Sequence, residues 1–152
     1  MIALDSSSLI AYLGGDQGAD VDAVELAFEQ RQGVLPPIVL SEMLSEPRLL
    51  SEVREWLLRL PLLEVVEGYW ERAGLLRSLV LRRGRRAALA DALIAQSCLD
   101  HNAPLVTRDA DFSGFARLAG LRLFGSRATR TRETRRARGR PGRSGPRSGR
   151  RG

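Results

Sequence analysis

"MIALDSSSLI" occupies positions 1–10. Met1 to Leu4 are apolar and read as the start of a buried strand. Asp5 follows at once, and then come Ser6, Ser7 and Ser8. A carboxylate directly after an apolar strand is poorly placed for packing. It either caps the helix that begins in "SSLIAYL" or is held at the strand end for chemistry. The serines also offer caps, so the stretch alone leaves both readings open. It does show a strand running through a polar turn into a helix, and that order recurs along the chain.

"DVDAVELAFEQRQ" places Val21, Val24, Leu26 and Phe28 at mainly helical spacing. "GVLPP" reads as a short strand ended by prolines, and "IVLSEMLS" as a helix that stops before Pro47. "LLSEVREWLLRL" is a further helix and "LLEVV" a strand. "GYWERAGLLRSLVLRRG" is a helix closed by Gly84. "RAALADALIAQSCLDHN" is a long helix ended by Asn102 and Pro104. "PLVT" is a strand, "ADFSGFARLAG" a short helix and "LRLFG" a last strand. Strands separated by helices imply an α/β fold with parallel pairing and helices on both faces. In such sheets ligands sit beyond the carboxyl ends of the strands. Asp5 and the acids after "PLVT" would share that edge.

A chain of 152 residues, 43% of them hydrophobic, can bury one core. No apolar run approaches the roughly 18–20 residues that span a bilayer. The N-terminus lacks the basic and small-residue features of a signal peptide, so a cytoplasmic protein is expected. The single Cys98 excludes an internal disulfide. The net charge of +6 hides a split. Residues 126–152 carry eleven arginines and one acid, Glu133, whereas residues 1–125 carry thirteen arginines against seventeen acids. We therefore expect a domain over 1–125 and a disordered Arg-rich tail over 126–152. Such a tail is suited to polyanions, and an incidental extension would look the same.

The informative acids are those in apolar settings. From Ala87 to Leu99 the only charge is Asp91, in a helix apolar around most of its circumference. A buried carboxylate is normally paired or bound to a metal. The competing structural explanation is an ion pair with Arg82, Arg83, Arg85 or Arg86, just upstream. Glu42 sits among Ile38, Val39, Leu40, Met43 and Leu44, where a favourable helix dipole is the alternative. Asp109 and Asp111 follow a strand, a common place for turn and cap residues. Together these acids form a carboxylate-only set with no lysine anywhere in the chain. Oxygen-only sites suit the hard ions Mg²⁺ or Mn²⁺, and such sites mostly handle phosphate esters. The lack of lysine argues against a phosphorelay receiver or a haloacid-dehalogenase-type phosphatase. One Cys and one His, Cys98 and His101, are too few for a zinc site.

The segments "MIALDSSSLIAYL", "PPIVLSEMLSE", "LADALIAQSCL" and "LVTRDADF", in that order, resemble the PIN domain family, and within it the VapC-type ribonuclease toxins of prokaryotic toxin–antitoxin pairs. The resemblance spans about Met1 to Gly125. It implies a three-layer α/β/α sandwich with a central parallel sheet, and an Mg²⁺- or Mn²⁺-dependent endoribonuclease. It implies Asp5, Glu42, Asp91 and Asp109 as metal-site and catalytic acids, with Asp111 secondary and Ser6 in support of the site. It further implies an RNA substrate, a VapB-like antitoxin and a homodimer; the helices bearing Trp56 and Trp70 are candidate interfaces, with packing into the core as the alternative. Arg82, Arg83, Arg85 and Arg86 would hold the RNA backbone beside the acids, since phosphate contacts position without specifying. Aromatic residues make up only 5%, so base stacking would not dominate. Two alternatives stay open: a PIN nuclease of RNA processing or DNA cleavage, and an inactive RNA-binding PIN module.

Overall fold

The computed structural model describes residues 1–124, so the Arg-rich stretch expected as a tail lies outside the described residues. The first strand, β1 (Ile2–Leu4), is buried along its whole length. It is the central strand, pairing in parallel with β2 (Gly33–Val34) on one side and β3 (Leu105–Val106) on the other. Seven helices accompany these strands among the described residues: α1 (Ser6–Leu13), α2 (Ala19–Glu29), α3 (Pro37–Leu44), α4 (Ser51–Leu57), α5 (Tyr69–Arg82), α6 (Leu89–Asp100) and α7 (Phe112–Ala119). The architecture is the expected three-layer α/β/α sandwich around a parallel sheet.

Two expected strands are reduced to single bridges. In "LLEVV" only Leu62 bridges Leu35, and in "LRLFG" only Leu123 bridges Leu105. Both lie outside the paired core of three strands. Leu62 and Val65 are exposed while only Leu63 is fully buried, so little apolar surface holds the outer segment extended. The serines do not cap α1 either. Asp5 occupies the N-cap position, and no side chain makes a capping hydrogen bond there. The helix ends follow local chemistry more closely. Pro37 starts α3, where its missing N–H costs nothing. Gly84 follows α5 in the left-handed conformation expected of a closing glycine.

The core forms where the helices meet the sheet. Leu9 of α1, Val24 of α2, Val39 of α3, Val80 of α5, Ile94 of α6, and Phe112 and Phe115 of α7 are all buried. Helix α6 is the central one and packs against α3, α5 and α7. Its middle, from Ile94 to Cys98, is buried on all sides, as its apolar circumference predicts. Its first turn opens to solvent, with Leu89 58% exposed, and that turn carries Asp91. No described helix is long and apolar enough to cross a membrane.

Neighbouring residues of α1 test this packing. Leu9 is fully buried and Ile10 is 61% exposed. Leu9→Ala is expected to cost about 2–5 kcal/mol in urea denaturation, through lost burial and the cavity left behind. Ile10→Ala is expected to stay within about 0.5 kcal/mol of the parent.

Candidate metal centre at the carboxyl edge of the sheet

Asp5 leaves β1 at the carboxyl edge of the sheet, 3% exposed. Its main-chain N–H donates to Val106 O at 3.0 Å, which extends the pairing of β1 with β3. Its side chain accepts two hydroxyl hydrogen bonds, from Ser7 Oγ at 2.6 Å and from Thr107 Oγ1 at 2.7 Å. Both fall on Oδ2, so among the described residues Oδ1 takes no hydrogen bond. Thr107 Oγ1 also accepts the N–H of Asp109 at 3.0 Å, and Asp109 Oδ1 accepts the N–H of Asp111 at 2.8 Å. The loop after β3 is thus folded back by its own side chains toward the end of β1.

Asp91 comes to this place from the first turn of α6. Its carboxyl pKa is pushed up to about 6, first by burial, then by the negative charges of Asp109, Asp5 and Asp111; a backbone hydrogen bond at Ala88 opposes the rise. Four of the five acids implied by the sequence therefore share one electrostatic neighbourhood. No arginine forms an ion pair with Asp91 among the described residues, so the expected structural explanation for a buried acid is not realised. Asp100, at the other end of the same helix, is the useful contrast. Burial pushes it up as well, but hydrogen bonds from Arg72 Nη2 at 2.8 Å and from Gln96 outweigh that and hold it below the ordinary carboxylate value. The helix carries one neutralised acid and one left with other acids.

Glu42 stands apart from the acids that act on Asp91. It is exposed on α3 and lines a cavity of about 440 Å³ together with Ser6, Ile10, Leu13 and Met43. Ser6 therefore faces that cavity, and the hydroxyls on Asp5 belong to Ser7 and Thr107. Sequence reasoning missed those two roles, although both residues lie inside the motifs that carried the argument. It also missed Arg108, whose guanidinium donates to Asp20 Oδ2 at 2.7 Å and to Asp16 Oδ2 at 2.8 Å. Arg82, the last residue of α5, and Arg83 and Arg86 on the α5–α6 connection are exposed, and Arg85 lies half-buried against Gly114. Cys98 is buried, and that burial, with a smaller contribution from the Asp5 charge, pushes its thiol up to about 12. It is inert as a ligand or nucleophile at neutral pH.

Among the described residues, no three carboxylate, imidazole or thiol groups converge closely enough to enclose a metal ion. The donor chemistry nevertheless suits a hard divalent cation: carboxylates alone, mutually repelling, with the charge of Asp91 left uncompensated.

A parallel α/β/α sandwich with carboxylates gathered beyond its strand ends is the architecture that the site and fold define. The chain belongs to the PIN domain family, whose description matches residues 2–119. Comparison with curated protein sequences returns no match. Among solved structures, the chain is similar to DNA-bound VapBC from Salmonella typhimurium, with a TM-score of 0.62 and 20% identity over 81% of this chain and 97% of that one. It is also similar to VapBC2 from Rickettsia felis bound to a promoter DNA fragment, with a TM-score of 0.58 and 23% identity over 81% and 97%. FitAcB from Neisseria gonorrhoeae gives a TM-score of 0.59 and 22% identity over 82% and 96%. At these identities the likeness establishes the fold.

The raised pKa of Asp91 has a measurable consequence. A folded-state pKa above the ordinary value means that the group supports the fold below about pH 4, and that this support is lost as pH rises through about 6. Asp91→Asn should therefore raise the melting temperature in metal-free buffer at about pH 7.5, with the difference shrinking toward about pH 4. The gain is on the order of 1–2 kcal/mol, because solvent screens a half-exposed carboxylate below the full value of such a shift. A melting difference that does not change with pH would contradict the electrostatic account.

Proposed function

We propose that the chain is a metal-dependent endoribonuclease and acts as the toxin of a toxin–antitoxin pair. The carrying observation is Asp91, unpaired by arginine, with its carboxyl pushed up by burial and by the charges of Asp109, Asp5 and Asp111. A protein keeps such a charge cluster at a stability cost when the cluster serves a site. The residues that would hold Mg²⁺ or Mn²⁺ are Asp5, Asp91 and Asp109, with Asp111 beside them; Glu42 stands on α3 at the neighbouring cavity that Ser6 also lines. When bound, such ions supply an activated water and charge stabilisation at a phosphodiester.

The chain's own contribution is placement. Ser7 and Thr107 hold Oδ2 of Asp5 and leave Oδ1 for a ligand. Thr107 ties Asp109 to the same carboxylate through its hydroxyl. The exposed Arg82, Arg83 and Arg86 are available to phosphates next to α6, whose first turn bears Asp91. The toxin reading draws on the likeness to the VapBC and FitAcB structures, and it brings a VapB-like antitoxin as partner. For the homodimer, α5 is the better surface. Trp70 is 66% exposed, whereas Trp56 is partly buried against the core. Cytoplasmic placement follows from the same reading.

Purified protein is expected to cleave RNA with Mg²⁺ or Mn²⁺ and to be silenced by chelation, leaving 5′-phosphate and 3′-hydroxyl ends. Asp5→Asn and Asp91→Asn should each lower cleavage by at least about 100-fold while remaining folded by circular dichroism. Induced expression should arrest growth, and the same variants should relieve the arrest. A folded Asp91→Asn protein that cleaves at the parental rate would refute the site. Cleavage of DNA in preference to RNA would favour the DNA-cleaving alternative, and RNA binding without cleavage the inactive module.

A further inference from the structure

Arg108 sits between two residues of the site, Thr107 and Asp109, yet its side chain is turned to a different part of the chain. Its guanidinium reaches the connection between α1 and α2. Nε donates to Asp20 Oδ2 at 2.7 Å and Nη1 to Asp16 Oδ2 at 2.8 Å, while Nη2 lies 3.4 Å from both Asp20 Oδ1 and Gln17 O. The Asp20 side chain is 18% exposed and that of Arg108 35%, whereas that of Asp16 is 56% exposed, so the Asp20 half of the clamp is the shielded one. The main chain of Arg108 serves a second purpose, since its N–H donates at 3.2 Å to Ser7 Oγ, the hydroxyl that holds Asp5.

Gly18 is an independent sign that this place is built around the clamp. Its φ of +150° is one that side-chain-bearing residues rarely adopt. A Cβ there would stand 2.8 Å from Asp20 Oδ1 and 3.5 Å from Arg108 Nη2. The chain leaves room for the ion pair exactly where a methyl group would collide with it.

We propose that Arg108 is a positioning residue of the metal site: by clamping Asp16 and Asp20 it fixes the loop that carries Thr107 and Asp109 against Asp5. The clamp also commits the arginine next to Asp109 to two remote acids. The site then keeps its negative charge for a cation. This role rests on the metal-site reading given above.

The test is binding of Mn²⁺ alone to the full chain, by calorimetric titration well below the melting temperature. Arg108→Met should weaken Mn²⁺ by about 10-fold or more, the usual loss when a group supporting metal ligands is removed. Arg108→Lys, which offers a point charge in place of a fork, should fall between Met and the parent. Asp20→Asn and Gly18→Ala break the same clamp from its other side and should weaken Mn²⁺ in the same direction, which keeps the test open if Arg108→Met fails to fold. A merely structural salt bridge would lower the melting temperature and leave Mn²⁺ affinity unchanged. Folded clamp variants that bind Mn²⁺ within twofold of the parent would therefore overturn the positioning role and leave the metal site standing. A parent chain that binds no Mn²⁺ would overturn the metal reading itself, and this inference with it.

Discussion

The hydrogen bond from the Asp5 N–H to Val106 O joins the fold to its site. It is the last pairing of β1 with β3, and so it belongs to the sheet. It also sets where the Asp5 carboxylate must lie, because backbone paired on the central strand has little freedom left. Thr107 follows Val106 directly, which brings its hydroxyl to within 2.7 Å of the carboxylate just positioned. Ser7, one residue into α1, completes the grip from the other direction. The carboxylate so held accepts its hydrogen bonds from two hydroxyls and makes no ion pair with an arginine among the described residues.

The consequence is an electrostatic tension that the molecule does not relieve internally. Asp91 is pushed up toward neutrality by burial and by the acids around it, while Asp100 on the same helix is neutralised by Arg72. The chain has thirteen arginines in its first 125 residues and could have placed one beside Asp91. Instead Arg108 is drawn off to Asp16 and Asp20, and Arg82, Arg83 and Arg86 stay in solvent. Uneven distribution of cations, more than the number of acids, sets these carboxylates apart from an ordinary solvated acidic patch.

Packing supports this arrangement at low cost. Helix α6 is buried where its residues are apolar or small and opens only at the first turn, so Asp91 is half-buried. At this depth burial and the neighbouring acids push the Asp91 carboxyl up, while the open first turn still gives it access to solvent. The partial exposure keeps it both ionisable and coupled to its neighbours.

The α/β order, the parallel pairing and the candidacy of Asp91 were legible in the sequence, because each follows from local apolar periodicity and from one charge in an apolar helix. Asp5 and Asp109 were legible as strand-end acids for the same reason. The outer strands were overread: "LLEVV" and "LRLFG" have strand-forming residues, but outside the paired core each keeps a single bridge. What holds Asp5, which arginines stay away from Asp91, and where Arg108 turns were decided only by tertiary structure. Ser7 and Thr107 are 100 residues apart in the sequence, and Asp16 and Arg108 are 92 apart, yet each pair is in contact. Local pattern determines which elements form and which faces they bury, whereas the pairing of polar groups distant in sequence depends on the sheet order that brings their loops together.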